Sequence, residues 1–261
     1  MKGARSYNIR KFAENGANGL EQTREIARET AIALVYNGTT HSIMMASPVD
    51  LYDFAIGFSF SEKIIENINE IIGVEIITHY RGIEIQISLE SVGANNFIRQ
   101  RHLRLGPVGC GLCGIDSLEA ALPQIERITN AAQFTPKLLL AGMAKLRNFQ
   151  PLHARTHAVH VAAFMDANGD LIHAREDIGR HNALDKLIGT LLDEGLDASK
   201  GAILITSRVS VDLVQKCARI GCGTLAAISA PSSLAISMAQ IANISLYAIV
   251  RADGLEQFTQ L

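Results

Sequence analysis

Apolar positions along the chain change their spacing part-way, and that change divides the molecule. In residues 28 to 46, ETAIALVY and HSIMMA are strand-like runs on either side of Asn37-Gly38, a dipeptide that favours the tight turn of a β-hairpin. A helix is expected next: Ser47 as its cap, Pro48 in its first turn, Asp50 complementing its positive end, and an apolar run through Phe60. VEIITHY and GIEIQISL then alternate around Arg81-Gly82 as a second hairpin. This first region is α+β in character. Residues 91 to 109 read as loop, and helices are expected from about 115 and from Pro136 to about Arg147.

From there the order changes. THAVHVAAF and DLIHARE flank Ala167-Asn168-Gly169 as a hairpin, and a helix follows from about His181. GAILIT, VSVDLVQKCARIG, TLAAIS, LAISMAQIA and SLYAIV then alternate strand with helix, the pattern of right-handed crossovers in a sheet with helices on its faces. An opening hairpin followed by such alternation is the order of the cytidine-deaminase-like three-layer α/β/α fold, an analogy that carries no activity with it. The expected division is an N-terminal α+β region over 1–109, a loop and helix over 110–135, and the α/β/α domain over 136–261.

Composition narrows the class. The 261 residues are 48% hydrophobic and 19% charged, with a formal net charge of -2, which argues against a general nucleic-acid binder and against disorder. Four cysteines are too few for a secreted disulfide scaffold, and MKGARSYNIRKFAENG holds no apolar signal-peptide core, so a cytoplasmic chain with a loose leader is expected. No residue from Ile220 to Val250 is charged, a span long enough to cross a membrane. Gly221, Gly223, Pro231 and Asn243 nevertheless cut it into buried strand, helix and strand.

The chemistry concentrates in two places. Cys110 and Cys113 form a CxxC between glycines, ahead of an expected helix start and after Arg99, Arg101 and Arg104, surroundings that favour a thiolate. Three readings of the pair stand: a zinc half-site, a dithiol redox switch, and a nucleophilic or sulfur-carrying cysteine. Zinc lacks a second CxxC, since Cys217 and Cys222 fall in a helix and before a strand, where buried structural thiols are expected. A zinc deaminase would need His-x-Glu, and none of the eight histidines has it. The second place is a set of polar clusters at the carboxyl ends of expected strands, where open α/β sheets bind ligands. Arg180 and His181 lie at a helix start within REDIGRHNALDK, Ser207 and Arg208 within TSRVSVD, and Arg251 directly after SLYAIV.

Taken in order, YNG…MMASPVDLYDFAIGF, CGLCG, REDIGRHNALDK, TSRVS, SAPSSLAI and SLYAIVR resemble the formate dehydrogenase accessory sulfurtransferases, the FdhD family. The resemblance implies a cytoplasmic homodimer that accepts sulfane sulfur from a cysteine desulfurase. It would pass that sulfur to molybdenum bis(molybdopterin guanine dinucleotide) before the cofactor enters the formate dehydrogenase apoenzyme, with no resident metal of its own. By the same resemblance Cys110 is the persulfide-bearing cysteine, Cys113 its partner, and Tyr247, Ala248, Ile249, Val250, Arg251 and Ala252 a cofactor-binding stretch. Arg180, His181, Ser207 and Arg208 would join it around the nucleotide phosphates, which an arginine fork matches. Ala252 and Lys63 stand where the family usually has glycine. A redox dithiol protein and a non-catalytic cofactor chaperone are the rival classes.

Overall fold

The computed structural model describes residues 3–12, 19–90 and 125–259. Strand β1 (Ala4–Lys11) pairs with β2 (Leu20–Ala27) as a two-stranded antiparallel ribbon. β1 lies in what the sequence presented as a loose leader, and β2 in the stretch after it, for which no element was expected. Neither shows the alternation of a half-buried strand, because most of their side chains are solvated on both faces.

A four-stranded sheet follows, in the order β4-β3-β6-β5. Its strands are β3 (Thr30–Tyr36), β4 (Thr39–Ala46), β5 (Ile71–His79) and β6 (Gly82–Leu89). The turn joining β3 to β4 holds Asn37 and Gly38 at φ 45° and 78°, the positive angles that a two-residue hairpin requires. Helix α1 (Leu51–Ser61) joins β4 to β5. Its N-cap is Asp50, in a left-handed conformation and without a side-chain capping bond, so Ser47 does not have the expected capping role. Ser47 is instead buried, its amide donating to Asp177 Oδ2 at 2.9 Å and its hydroxyl accepting from the Ile178 amide at 3.1 Å. At the other end, Lys63 N–H bonds Phe60 O and Ile64 N–H bonds Ser59 O, a Schellman closure that puts Lys63 at φ 58°.

The second half forms a six-stranded sheet ordered β12-β11-β10-β9-β7-β8. Helices α2 (Pro136–Lys145) and α3 (Pro151–Thr156) lead into the hairpin of β7 (His160–Met165) and β8 (Leu171–Asp177). The expected strand start at THAV is therefore helix end and turn, with His157 at φ 54°. Then come α4 (Arg180–Asp193), β9 (Ala202–Ile205), α5 (Val211–Arg219), β10 (Thr224–Ala227), α6 (Ser233–Ala242), β11 (Ser245–Arg251) and β12 (Gly254–Gln257). Strands β9, β10 and β11 are parallel, while β7 runs against both β9 and β8.

Alternation sorts the sheet residues onto two faces. Phe164, Ile203, Ile205, Leu225 and Leu246 face one core, shared with α1, α4, α5, α6 and the inner face of the four-stranded sheet. Val161, Met165, Leu204, Ala226 and Tyr247 face the other, under α2. The first core runs without a break from Ile32 and Ile85 to Leu246. At its centre α1 and α4 touch backbone to backbone: a Cβ added to Gly57 would lie 1.7 Å from Asp185 O, and one on Gly189 1.9 Å from Asp53 O. Among the described residues no helix is long and apolar enough to cross a membrane, and the uncharged span is the expected strand, helix and strand.

Candidate functional site

Parallel strands send their following loops to one edge of the sheet, and three loops meet there. The segment after β9 is fixed by Thr206 N–H to Val161 O at 3.2 Å and by the Val161 amide to Thr206 Oγ1 at 3.1 Å. It is joined to the segment after β10 through Val209 N–H to Ala230 O (3.2 Å) and Ser232 N–H to Val209 O (3.0 Å). The end of β11 reaches the same segment through Ile249 N–H to Ser229 O at 3.4 Å. Strand β8 runs in the direction of β9, since both oppose β7, so Ile178 to His181 arrive at this edge as well. A 3.3 Å contact between His181 Nε2 and Ser210 Oγ joins the start of α4 to the loop after β9.

The start of α4 is held by a single carboxylate. Asp177 is fully buried: Oδ1 accepts from the Gly179 amide (2.7 Å) and Asn182 Nδ2 (3.1 Å), and Oδ2 from the Ser47 amide (2.9 Å) and Lys186 Nζ (2.6 Å). Lys186, equally buried, also donates to Ser47 O at 2.9 Å and lies 5.9 Å from the Phe54 ring centroid. The dense charge of REDIGRHNALDK thus divides: Asp177 and Lys186 turn inward and stitch the two halves together, while Arg180 and His181 remain at the edge. A second inward pair, Lys216 with Asp185 at 2.5 and 2.7 Å, joins α5 to α4.

Electrostatically the edge is positive. Burial pushes the His181 imidazole down to about 3, and the charges of Arg180 and Lys216 push the same way. His160, at the start of β7, is also lowered, by burial and then by Arg180 and His153. Neutral imidazoles here serve as hydrogen-bonding groups, leaving the fixed positive charge to the arginines. Arg208 and Arg251 are exposed, and Arg180 is half-buried with its Nε finding no hydrogen-bond partner among the described residues. A buried guanidinium nitrogen without an acceptor is the condition a phosphate oxygen would relieve. A carboxylate faces His181 from the first turn of α5: Asp212, 3.7 Å from His181 Nε2 and raised by burial.

Not every expected site residue meets this edge in the same way. Tyr247, Ala248 and Val250 are buried in the sheet, and Ser207 is buried with its hydroxyl donating to Arg208 O at 3.0 Å. Ile249 lies within an irregularity of β11 between Ala248 and Arg251, Arg251 ends the strand opposite Gly254, and Ala252 follows it. There Ile249 adopts φ 52°, unusual for a β-branched residue and typical of backbone held by its surroundings at a site. Cys110 and Cys113 lie outside the described residues, as do Arg99, Arg101 and Arg104. Cys217 and Cys222 are free and fully buried in the core, and burial raises both thiols, Cys222 to about 11. Sequence reasoning counted Lys216, with Arg219 and Arg251, in an acid-free basic stretch but did not single out His160 or Ser210. Their signal is the strand order, which brings the start of β7 beside the starts of α4 and α5.

These features define an α/β protein with a basic, anion-suited edge at the carboxyl ends of its parallel strands. The chain belongs to the FdhD/NarQ family, whose model matches residues 27–261. It is 44% identical over 230 residues to a sulfur carrier protein FdhD of Bordetella petrii, covering 88% of this chain and 83% of that protein. It is 46% identical over 255 residues to one of Brucella abortus, covering 97% and 95%. In three dimensions it is similar to a crystal structure of a putative formate dehydrogenase accessory protein from Desulfotalea psychrophila. That match has a TM-score of 0.75 at 25% identity, over 99% of this chain and 98% of that one.

Proposed function

We propose that the protein is a sulfur carrier in formate dehydrogenase maturation, and that its basic edge holds the guanine dinucleotide ends of the molybdenum cofactor. The observation that carries the nucleotide reading is the convergence of Arg180, Arg208 and Arg251 on one edge, with Arg180 Nε buried and lacking an acceptor among the described residues. Membership of the family supports the sulfur chemistry. The six-stranded sheet, with its antiparallel opening hairpin, is read as a cytidine-deaminase-like scaffold put to this use.

In the proposed reaction the Cys110 thiolate attacks the sulfane sulfur of a cysteine desulfurase persulfide. The donor S–S bond breaks, the desulfurase cysteine leaves as thiolate, and Cys110 becomes the persulfide. Attack is fastest for a thiol whose pKa lies near ambient pH. Cys113 assists as relay or activator: in delivery its thiolate would attack Cys110 Sγ, the persulfide S–S bond would break, the outer sulfur would leave as sulfide for molybdenum, and a Cys110–Cys113 disulfide would remain, which accounts for the two electrons. Arg180, Arg208 and Arg251 bind phosphate, and His181 and Ser210 offer hydrogen bonds beside them.

Two measurements test this. With a desulfurase and labelled cysteine, the parent protein gains about 32 Da on Cys110, the mass of one sulfur, as expected of a reversible cap on a reactive thiol. Equal labelling of Cys110→Ala refutes the carrier role. A Cys110–Cys113 disulfide cycling against glutathione, with no sulfur uptake, would favour a redox protein, and maturation of the dehydrogenase by Cys110→Ala in cells would favour a chaperone. Calorimetry with GDP is expected to show weakened binding for Arg208→Ala and Arg251→Ala, and unchanged affinity in both removes the pocket.

A further inference from the structure

The β1–β2 ribbon has two unlike faces. Side chains alternate across a strand, and directly opposed residues share a face. Ser6, Asn8 and Arg10 lie opposite Glu25, Thr23 and Glu21 on the face that is tied to the body. Both described carboxylates of the ribbon are on that face and both are held, Glu21 by Arg10 at 3.3 Å and Glu25 by two nitrogens of Arg155 on α3. The other face is built in four rows: Arg5 beside Ile26, Tyr7 beside Arg24, Ile9 beside Gln22, and Lys11 beside Leu20. It carries three exposed cations and no carboxylate, in a chain whose formal net charge is -2. Tyr7, Leu20 and Ile26 are exposed at 47%, 76% and 38%, and the Arg5 guanidinium sits 5.7 Å from the Tyr7 ring centroid. A solitary two-stranded ribbon is marginal in water, and apolar side chains gathered on one of its faces mark a surface to be covered.

Charge and spacing together select the cover. Successive rows are two residues apart, about 6.8 Å, which is also the distance between alternate side chains of any extended segment. Glutamates on alternate residues of such a segment fall opposite Arg5, Arg24 and, after one uncharged row, Lys11. Their methylene stems then lie on Ile26, Tyr7 and Leu20, and an apolar residue between them meets Ile9. A second copy of the ribbon would instead oppose three cations to three. Single-stranded nucleic acid is held by bases stacked on aromatic rings, and this face offers one ring, which Arg5 already covers. A membrane surface is held by clusters of about four to eight cations, more than the three present.

We propose that this face is a docking surface for an extended acidic segment of a partner protein, with glutamates opposite Arg5, Arg24 and Lys11 and an apolar side chain opposite Ile9. Burial of Tyr7, Leu20 and Ile26 supplies affinity, and the charge pairs fix the register of the segment along the ribbon. Docking here requires neither the nucleotide edge nor a sulfur-loaded cysteine.

The test uses full-length protein and a fluorescein-labelled nine-residue peptide with glutamate at its second, fourth and eighth positions, valine at its sixth and threonine elsewhere. Binding is read by fluorescence anisotropy, and circular dichroism confirms that each variant is folded. A Kd of about 100 µM or tighter is expected, the range of a weak but specific contact. Arg5→Glu/Arg24→Glu places like charges at two rows and is expected to weaken binding at least about 10-fold. A peptide with lysine at its second and fourth positions is expected to prefer that variant over the parent. Four results overturn the proposal: no binding at about 300 µM protein, where such a contact is still detected; equal binding of a peptide with the same composition and its three glutamates adjacent; a variant that binds as the parent does; and tighter binding of phosphatidylglycerol vesicles or an oligothymidylate than of the peptide.

Discussion

Asp177 is the acceptor on which the start of α4 and the seam between the two halves both depend, and its removal is the most informative perturbation. Asp177→Ala leaves the buried Lys186 ammonium with the Ser47 carbonyl as its remaining hydrogen-bond acceptor, and takes acceptors from the Ser47 and Gly179 amides. Stranding one partner of a buried ion pair costs about 3–5 kcal/mol, and each buried donor left unsatisfied adds about 1–3 kcal/mol before relaxation. Domains are stable by roughly 5–15 kcal/mol in total, so the substitution brings the protein near its unfolding threshold. Urea unfolding followed by circular dichroism measures the loss directly. The cycle with Lys186→Met isolates the pair: Asp177→Ala/Lys186→Met is expected to cost about 0.5–3 kcal/mol less than the sum of the single changes. A loss below about 1 kcal/mol for Asp177→Ala, or strict additivity, refutes the inward role given to this carboxylate.

Other expectations follow from single positions. Gly57→Ala and Gly189→Ala each drive a methyl group into a facing helix carbonyl, and each is expected to lower stability by about 3 kcal/mol or more in the same unfolding assay. Lys63→Gly relieves a left-handed lysine at the Schellman closure of α1 and is expected to raise stability by about 1 kcal/mol, read as a shift in the urea midpoint. His181, held at about 3 in the fold against 6.5 when unfolded, penalises the native state as pH falls between those values, because the unfolded chain binds the proton first. Its penalty grows by about 1.4 kcal/mol per pH unit in that window and is absent above it. His181→Gln is expected to flatten the acid limb of stability against pH, and an imidazole that titrates near 6.5 by NMR overturns this.

Much of the fold was legible because burial has a local signature. Asn37-Gly38 announced its turn since few dipeptides tolerate two positive φ angles, and the run from Ala202 to Val250 announced alternating buried strands and helices by its uninterrupted apolar segments. The ribbon was illegible for the converse reason. Tyr7, Ile26 and their neighbours are largely solvated, so their order carries no pattern of burial.

Sequence by itself determined the elements, the turn residues between them and the motif series that marks the family, because each depends on residues close together in the chain. Only the tertiary structure decided what those residues do for one another. It turned Ser47 from a helix cap into a partner of Asp177 and divided a run of charges into buried ties and exposed arginines. It also brought segments 178–181, 206–212 and 249–252 to one edge. Those outcomes depend on strand order and direction. Groups more than a hundred positions apart, such as Ser47 and Asp177, become neighbours through packing that no local pattern encodes.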